Sequence, residues 1–186
     1  MNVYDFDNTI LRGDSSARFF AWCLGHYPAM WPDIPGQALN GLLFILRLKP
    51  KQAFKQRMFA YLTRIGDVDA AVRRFWADNF ARIKPWYAEK HQTDDVVISA
   101  SPDWLIRPAC ERLGIHFVLG SPVDKATGVF HGQNCHGEEK VRRFREMFGD
   151  AEIDEFFSDS HSDDPLAALA QRAWLVKGER LLPWDS

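Results

Sequence analysis

The chain has 186 residues, 46% of them hydrophobic, and its 23 basic side chains nearly balance 25 acidic ones, which gives a formal net charge of −2. This composition excludes an intrinsically disordered chain, and the charge argues against a chain built wholly to neutralise nucleic acid. The length predicts one domain, or one domain with a large insertion.

The first predicted strand, Val3–Phe6, ends in the motif DFDNT, which places Asp5 and Asp7 two residues apart. Residues with this spacing project toward the same side of a strand end. Two close carboxylates without a counter-charge repel each other, and a bound divalent cation removes that conflict. The charged amino terminus, MNVYDFDNTI, also lacks the apolar run of a secretory signal, so secretion is not expected.

Residues 14–90 have the pattern of a helical insert. Apolar residues recur at helical spacing from Phe54 to Ile65 and from Val68 to Phe80, and Gly66-Asp67 marks the end of one helix and the start of the next. This segment carries 12 basic and 6 acidic side chains, whereas the rest of the chain carries 11 basic and 19 acidic ones. The near-zero total charge therefore combines a basic insert with an acidic remainder.

Within the insert, no acidic residue lies between Asp33 and Asp67. Three interpretations of this basic stretch stay open: a solvated helix face, a positive field that steers an anionic substrate, and a surface that docks on an anionic membrane. The basic side chains in the gap are Arg47, Lys49, Lys51, Lys55, Arg57 and Arg64.

The rest of the chain alternates short apolar runs with helical patterns. This alternation predicts an α/β fold, a doubly wound parallel sheet wrapped by helices, in which ligands bind at the carboxyl ends of the strands. The segment SPVDKATGVFHG predicts a small hairpin with its turn at residues 126–128. The apolar runs are Val96–Ile98, Phe117–Leu119, Ile153–Phe157 and Trp174–Val176.

Two of these runs lead into polar groups suited to phosphate chemistry. The second strand continues into Ser99-Ala100-Ser101-Pro102, which offers hydroxyls and a helix amino terminus, a natural anion site. The fourth continues into the acidic segment 158–164, whose carboxylates are ligands that Mg²⁺ favours. Lys140, at the start of another helix, adds a positive charge. Carboxylates, a metal ion, a hydroxyl and a lysine together form a phosphoryl-transfer set.

The motifs DFDNT at 5–9, ISAS at 98–101, the lysine of GEEK at 140 and SDSHSDDPL at 158–166 resemble, in this order, those of haloacid dehalogenase (HAD) superfamily phosphatases. The resemblance covers the whole chain. The insert is similar to the C1 cap of the phosphoserine-phosphatase-like subfamily IB, with a looser likeness to the phosphatidylglycerophosphatase C type. The resemblance to this family implies a Rossmann-like core in residues 1–13 and 91–186 and a helical cap in residues 14–90. It also implies Mg²⁺-dependent hydrolysis of a phosphomonoester through an aspartyl phosphate.

The resemblance also implies roles for individual residues. Asp5 would be the nucleophile, and Asp7 would protonate the leaving oxygen and then activate water. Lys140 would offset negative charge on the nucleophile and the phosphate. Ser99 and Ala100 would bind the substrate, and so would Arg12, because the segment that starts at Ser15 borders the active-site entrance in related proteins.

The implied Mg²⁺ ligands are Asp5, Asp7 through its carbonyl, Asp159 and Asp163. Asp164 is the alternative to Asp163, although the four-residue spacing from Asp159 favours Asp163. Asn8 stands where many family members have glycine, and asparagine tolerates a positive φ better than most residues.

The substrate would be a small phosphorylated metabolite or a phospholipid head group, and no nucleic-acid partner is expected. Two other functions remain as alternatives: a phosphotransferase that uses the same site, and a catalytically idle regulator that binds phosphate or lipid. The pair Asp5 and Asp7 argues against the regulator, because a binding module needs no acid/base carboxylate. Three cysteines without paired spacing favour a reducing compartment, and no apolar stretch reaches the roughly 20 residues of a membrane span, so we expect a cytoplasmic protein. The oligomeric state stays open.

Overall fold

The computed structural model describes residues 1–36, 38–39, 46 and 58–185. Its centre is a six-stranded sheet in the order β3-β2-β1-β4-β5-β6, in which every neighbouring pair is parallel except β5 and β6. The predicted α/β fold with a mostly parallel sheet is confirmed. The strands are β1 (Asn2–Tyr4), β2 (Val96–Pro102), β3 (Phe117–Ser121), β4 (Ile153–Ser158), β5 (Ala170–Lys177) and β6 (Arg180–Pro183).

Helices cover the sheet, and among the described residues α-helices with bounds given below lie between β1 and β2 in the chain. In the described ranges, no helix is both long enough and apolar enough to cross a membrane. The α-helices are α1 (Ser15–His26), α2 (Val68–Asn79), α3 (Pro85–Lys90), α4 (Asp103–Arg112), α5 (Glu138–Phe148) and α6 (Asp164–Ala167).

The structure differs from the sequence prediction in one helix of the insert and in the last strand. The pattern from Phe54 to Ile65 predicts one helix, but residues 54–57 lie outside the described residues and Ala60–Arg64 form a 3₁₀ helix, a common short connector. Strand β6 was not predicted, because its four residues, RLLP, are too short for a periodic signal. By contrast, α2 begins as predicted, with the Asp67 carboxylate accepting a hydrogen bond from the Ala70 N–H at 2.9 Å.

Both faces of the sheet are buried, and successive residues of a strand point to opposite faces, so neighbours in a strand pack in different clusters. Phe156 packs in one hydrophobic cluster, whereas Phe157 stacks on Tyr4, at 4.7 Å between ring centroids, in the other. The second cluster also contains insert residues such as Trp76, whose indole N–H donates to the Leu105 carbonyl at 2.6 Å. The insert therefore shares a continuous core with one face of the sheet.

The insert returns to the sheet beside the point where it leaves. The Arg12 N–H donates to the Arg82 carbonyl at 2.9 Å, and the Lys84 N–H donates to the Ile10 carbonyl at 2.8 Å. These bonds form a two-stranded bridge between the residues that follow β1 and those that precede α3. The bridge holds the loop after β1 next to the end of the insert.

The predicted hairpin after β3 is present and packs against the insert. Val123 and Phe130 form an antiparallel bridge, and the Asp124 N–H donates to the Val129 carbonyl at 2.8 Å. Gly128 has φ of +72°, and a Cβ there would lie 2.1 Å from the Phe59 carbonyl oxygen. Only glycine fits this turn without displacing the backbone of the insert.

Glu139 is buried and forms ion pairs with Arg142 and Arg143. Hydrogen bonds from Arg142 and Arg143 lower the pKa of Glu139 from 4.5 to about 2. The stabilisation is therefore present above pH 4.5 and is lost as the pH falls toward 2. We expect Glu139→Gln to lower the free energy of unfolding by about 1–2 kcal/mol at pH 7 and by less at pH 4, as measured by urea titration.

The matched control is Glu146→Gln. Glu146 also accepts from Arg142, at 3.0 Å, but its side chain is 68% exposed, so its replacement should change the stability little at either pH. An equal effect of both substitutions, or an effect of Glu139→Gln that grows on acidification, would contradict the prediction.

Candidate active site

The candidate site lies where β1, β2 and β4 end side by side. The Asp5 N–H donates to the Phe157 carbonyl at 2.8 Å, which continues the β1–β4 pairing one residue beyond Tyr4. Asp5 is therefore held at the carboxyl edge of the sheet, next to Ser158 at the end of β4 and Ser99 in β2.

Lys140 joins two of the predicted carboxylates. Its Nζ lies 2.8 Å from Asp5 Oδ1 and 2.7 Å from Asp163 Oδ2, and the Ser158 hydroxyl donates to the same Asp163 oxygen at 2.8 Å. The lysine is 2% exposed. Burial alone would lower the pKa of the Lys140 ammonium, but the charges of Asp5 and Asp163 raise it above its usual value. The lysine is therefore a fixed positive charge at neutral pH.

Asp7 has a different environment from Asp5. The N–H of Ser15, in the first turn of α1, donates to Oδ1 at 2.7 Å, and the Ser101 hydroxyl donates to Oδ2 at 2.5 Å. The Ser99 hydroxyl accepts from the Ser101 N–H at 3.1 Å and is buried. The contact between Ser101 and Asp7 was not predicted from the sequence, in which Ser101 stands two residues after Ser99.

Burial raises the pKa of the carboxylates at this edge of the sheet. For Asp5, burial and the charge of Asp163 outweigh the opposing effect of Lys140. For Asp7, burial and the charges of Asp14 and Asp5 outweigh the hydrogen bonds from Ser101 and Ser15, so its pKa is also raised. With its raised pKa, the Asp7 carboxyl group retains a proton more readily near neutral pH, as a general acid requires.

The structure distinguishes the two neighbouring aspartates of the acidic loop. Asp163 is buried against Lys140, and its Oδ1 has no hydrogen-bond partner in the described part of the chain. Asp164 is exposed, and its Oδ1 binds His161 at 3.1 Å and the Trp184 indole at 2.9 Å. Asp163 is therefore the residue that faces the candidate site.

These residues fit a Mg²⁺ ion by their donor chemistry. Lys140 supplies one positive charge for four acidic side chains, those of Asp5, Asp7, Asp159 and Asp163. Within the described residues, Asp163 Oδ1 has no hydrogen-bond partner. Over the described ranges, no three His, Cys, Asp or Glu side chains form a preassembled metal cluster. Mg²⁺ does not need one, since it is usually bound through one or two carboxylates together with water and substrate phosphate.

Arg12 and Ala100 line different cavities. Arg12 binds Glu179 at 2.7 Å and lines a cleft of about 420 Å³ that also contains Asp159. Ala100 lines a different cavity beside Asp7, and its carbonyl accepts from the Ser121 hydroxyl at 2.8 Å.

The turn after Asp7 has the geometry predicted from the sequence. Asn8 has φ of 56°, and its N–H donates to the Gly13 carbonyl at 3.1 Å. The Asn8 carbonyl accepts a hydrogen bond from the buried ammonium of Lys84, whose pKa is lowered by burial. Lys84 was missed because it lies 76 residues away in the sequence, and no local pattern connects it to the turn.

The fold and this edge cluster define a doubly wound α/β protein with an acidic, lysine-bridged site at the point where the strand order reverses. The model of the haloacid dehalogenase-like hydrolases matches residues 3–168, and the chain belongs to this family. The match confirms the family predicted from the sequence and the prediction that the chain is an enzyme.

The chain is also similar to one curated protein and to two solved structures. The chain is 27% identical over 195 aligned residues to the protein CicA of Caulobacter vibrioides, which covers 96% of this chain and 85% of CicA. A protein of unknown function from Bordetella pertussis superposes with a TM-score of 0.75 at 16% identity, covering 94% of this chain and 88% of that one. A phosphoserine phosphohydrolase-like protein from Francisella tularensis superposes with a TM-score of 0.61 at 17% identity, covering 94% and 87%. The two solved structures share the fold.

Proposed function

We propose that the chain is a Mg²⁺-dependent phosphatase that hydrolyses a phosphomonoester through an aspartyl phosphate on Asp5. The observation that carries the proposal is that two nearby carboxylates have different partners. Asp5 is paired with the cationic Lys140, whereas Asp7 accepts hydrogen bonds from two neutral donors. Phosphatases of this family generally use Mg²⁺. The likeness to a phosphoserine phosphohydrolase-like protein further supports the reaction class.

In the first step, an oxygen of Asp5 attacks phosphorus while the bond to the alcohol oxygen breaks. Asp7 donates its proton to that oxygen, and the alcohol leaves neutral. The ammonium of Lys140 holds the Asp5 carboxylate at 2.8 Å in one orientation and offsets charge on the transferred group. Ser99 lies at the same edge and supplies a hydroxyl for a phosphoryl oxygen.

In the second step, Asp7 is the base. It takes a proton from a water molecule, which attacks phosphorus, and the bond between phosphorus and Asp5 breaks to release phosphate. Asp7 ends protonated, as it began, so the cycle closes. A bound Mg²⁺ would supply additional positive charge to the transferred phosphoryl group, and Asp5, the Asp7 carbonyl, Asp159 and Asp163 would hold it.

The same residues support a phosphotransferase, in which a second hydroxyl takes the place of water.

We also propose that residues 14–90 act as a cap over the site and that the enzyme works in the cytoplasm, where its three buried free cysteines stay reduced. Most of the basic stretch, from Arg47 to Arg57, lies outside the described residues, and Arg64 pairs with Asp33 at 2.7 Å. Peripheral contact with an anionic membrane therefore remains one of its three interpretations.

Metal removal tests the proposal. With a panel of water-soluble phosphomonoesters, we expect EDTA to lower turnover by about 10³-fold and added Mg²⁺ to restore it, because a metal ion supplies several kcal/mol of transition-state stabilisation. The measurement is phosphate release, with the unfolding temperature recorded in EDTA to exclude loss of the fold. Full turnover in EDTA would contradict the metal requirement, and no turnover on any ester would favour the idle regulator.

A further inference from the structure

A second cavity adjoins Asp7, and Arg12 is not among its described lining residues. Its volume is about 530 Å³, within the range of about 300–1,000 Å³ that is typical of small-molecule pockets. Asp7 and Ser101 form one end, and Phe20, Met58 and Phe59 of the insert form much of the wall. We call this cavity the apolar pocket.

The charges around the apolar pocket restrict what it can hold. Among the lining residues in the described part of the chain, Asp14 is the acidic residue besides Asp7, which holds the proton that it donates, and none is basic. An alcohol that carries a carboxylate or a second phosphate would enter beside Asp14 and against the apolar walls. Burying a charge against such walls is costly, so the described lining disfavours anionic alcohols.

The pocket also lies where the leaving alcohol must be. In the proposed first step, Asp7 protonates the oxygen that leaves, so the carbon skeleton on this oxygen extends from Asp7 away from Asp5. The apolar pocket is the space that begins at Asp7. Its lining reaches the surface at Ile34, which is 39% exposed, so a chain longer than the pocket can continue outward.

On the basis of the proposed phosphatase activity, we propose that the apolar pocket binds the alcohol part of the substrate and that this part is uncharged and apolar. The substrate is then an alkyl, aryl or lipid phosphomonoester rather than the phosphate ester of an amino acid.

A chain-length series tests this inference. We expect kcat/KM for ethyl, butyl and octyl phosphate, each below its micellar concentration, to rise about two- to fourfold per added methylene until the pocket is filled, because each buried methylene is removed from water. Phosphoserine should be a poorer substrate than butyl phosphate. A series that does not change with chain length, or a preference for phosphoserine, would overturn the inference.

A pair of matched variants locates the effect. Met58→Glu places a carboxylate in the pocket wall, and we expect it to remove most of the octyl advantage, about tenfold or more, because the chain would then contact a charge. Met147→Glu is the control, since Met147 is 53% exposed on α5 and is not one of the residues that line the pocket. Equal losses in both variants would overturn the location.

Binding separates this inference from the proposed reaction. Calorimetry with octylphosphonate and ethylphosphonate, which cannot be hydrolysed at the P–C bond, should give tighter binding of the octyl compound. Chain-length-dependent binding without turnover of any ester would refute the phosphatase and leave the pocket assignment standing. Turnover of ethyl phosphate with equal binding of both phosphonates would do the reverse.

The source of the ester is distinguished by presentation. Phosphatidic acid in phosphatidylcholine vesicles offers the same chemistry from a bilayer. Hydrolysis of both octyl phosphate and the vesicle-borne lipid assigns a lipid substrate, whereas hydrolysis of octyl phosphate alone assigns a free ester. Hydrolysis of neither, in an enzyme that hydrolyses phosphoserine, would overturn the substrate class.

Discussion

Replacing Asp5 by asparagine is expected to lower kcat by about 10³- to 10⁶-fold, because the substitution removes the proposed nucleophile and leaves only binding and charge stabilisation. The change is nearly isosteric, and Lys140 keeps its contact with Asp163. Phosphate release under single-turnover conditions, together with a thermal unfolding curve, measures the effect on chemistry and on folding separately.

The control for this experiment is Asp164→Asn in the acidic loop. Asp164 is exposed and is bound to Trp184 rather than to Lys140, so its neutralisation should leave turnover close to that of the unmodified enzyme. Turnover that survives Asp5→Asn would rule out the aspartyl-phosphate mechanism. A loss in Asp164→Asn as large as that in Asp5→Asn would contradict the assignment of Asp163 to the site.

The second large effect is expected from Lys140→Met, on stability. The substitution leaves the carboxylates of Asp5 and Asp163 buried without their shared cation, and breaking a buried ion pair in this way costs about 3–5 kcal/mol. That is a large part of the roughly 5–15 kcal/mol that stabilises a typical domain. Urea unfolding at pH 7 in EDTA measures the loss, because bound metal would otherwise replace part of the missing charge.

Two variants keep this prediction testable. Lys125→Met breaks an exposed pair with Asp69, at 2.7 Å, and should cost less than about 1 kcal/mol. If Lys140→Met does not fold, the double variant Lys140→Met/Asp163→Asn should recover stability, since it removes one of the two unpaired charges. Similar small losses for Lys140→Met and Lys125→Met would show that the buried lysine is not required to offset these carboxylates.

The sequence predicted those parts of the molecule that leave a local signal. Asp5 and Asp7 follow an apolar run directly, and the helix α2 has both a repeated apolar face and a capping aspartate, so each can be recognised from a few neighbouring residues. The Ser101–Asp7 and Lys84–Asn8 hydrogen bonds could not be predicted, because each joins residues more than 70 positions apart. Such contacts depend on how the insert returns to the sheet, which no short pattern encodes.

Arg12 shows what a position in the sequence leaves open. Its position just after the DFDNT motif favours a role at the substrate, and it lines the cleft that also contains Asn8 and Asp159, where its guanidinium binds Glu179 at 2.7 Å. A role of Arg12 at the substrate therefore stays a prediction.

The bridge between residues 10–12 and 82–84 has a consequence for protein engineering. The loop that carries Asp7 is held on one side by β1 and on the other by the last residues of the insert, so the two ends of the insert form one structural unit with this loop. A chimera that exchanges the insert with that of a relative would keep the loop intact only if both strands of the bridge are retained. One junction must then lie after Gly13 and the other before Arg82. Substrate preference could then be exchanged as a cassette, provided that the residue at position 15 still donates its N–H to Asp7.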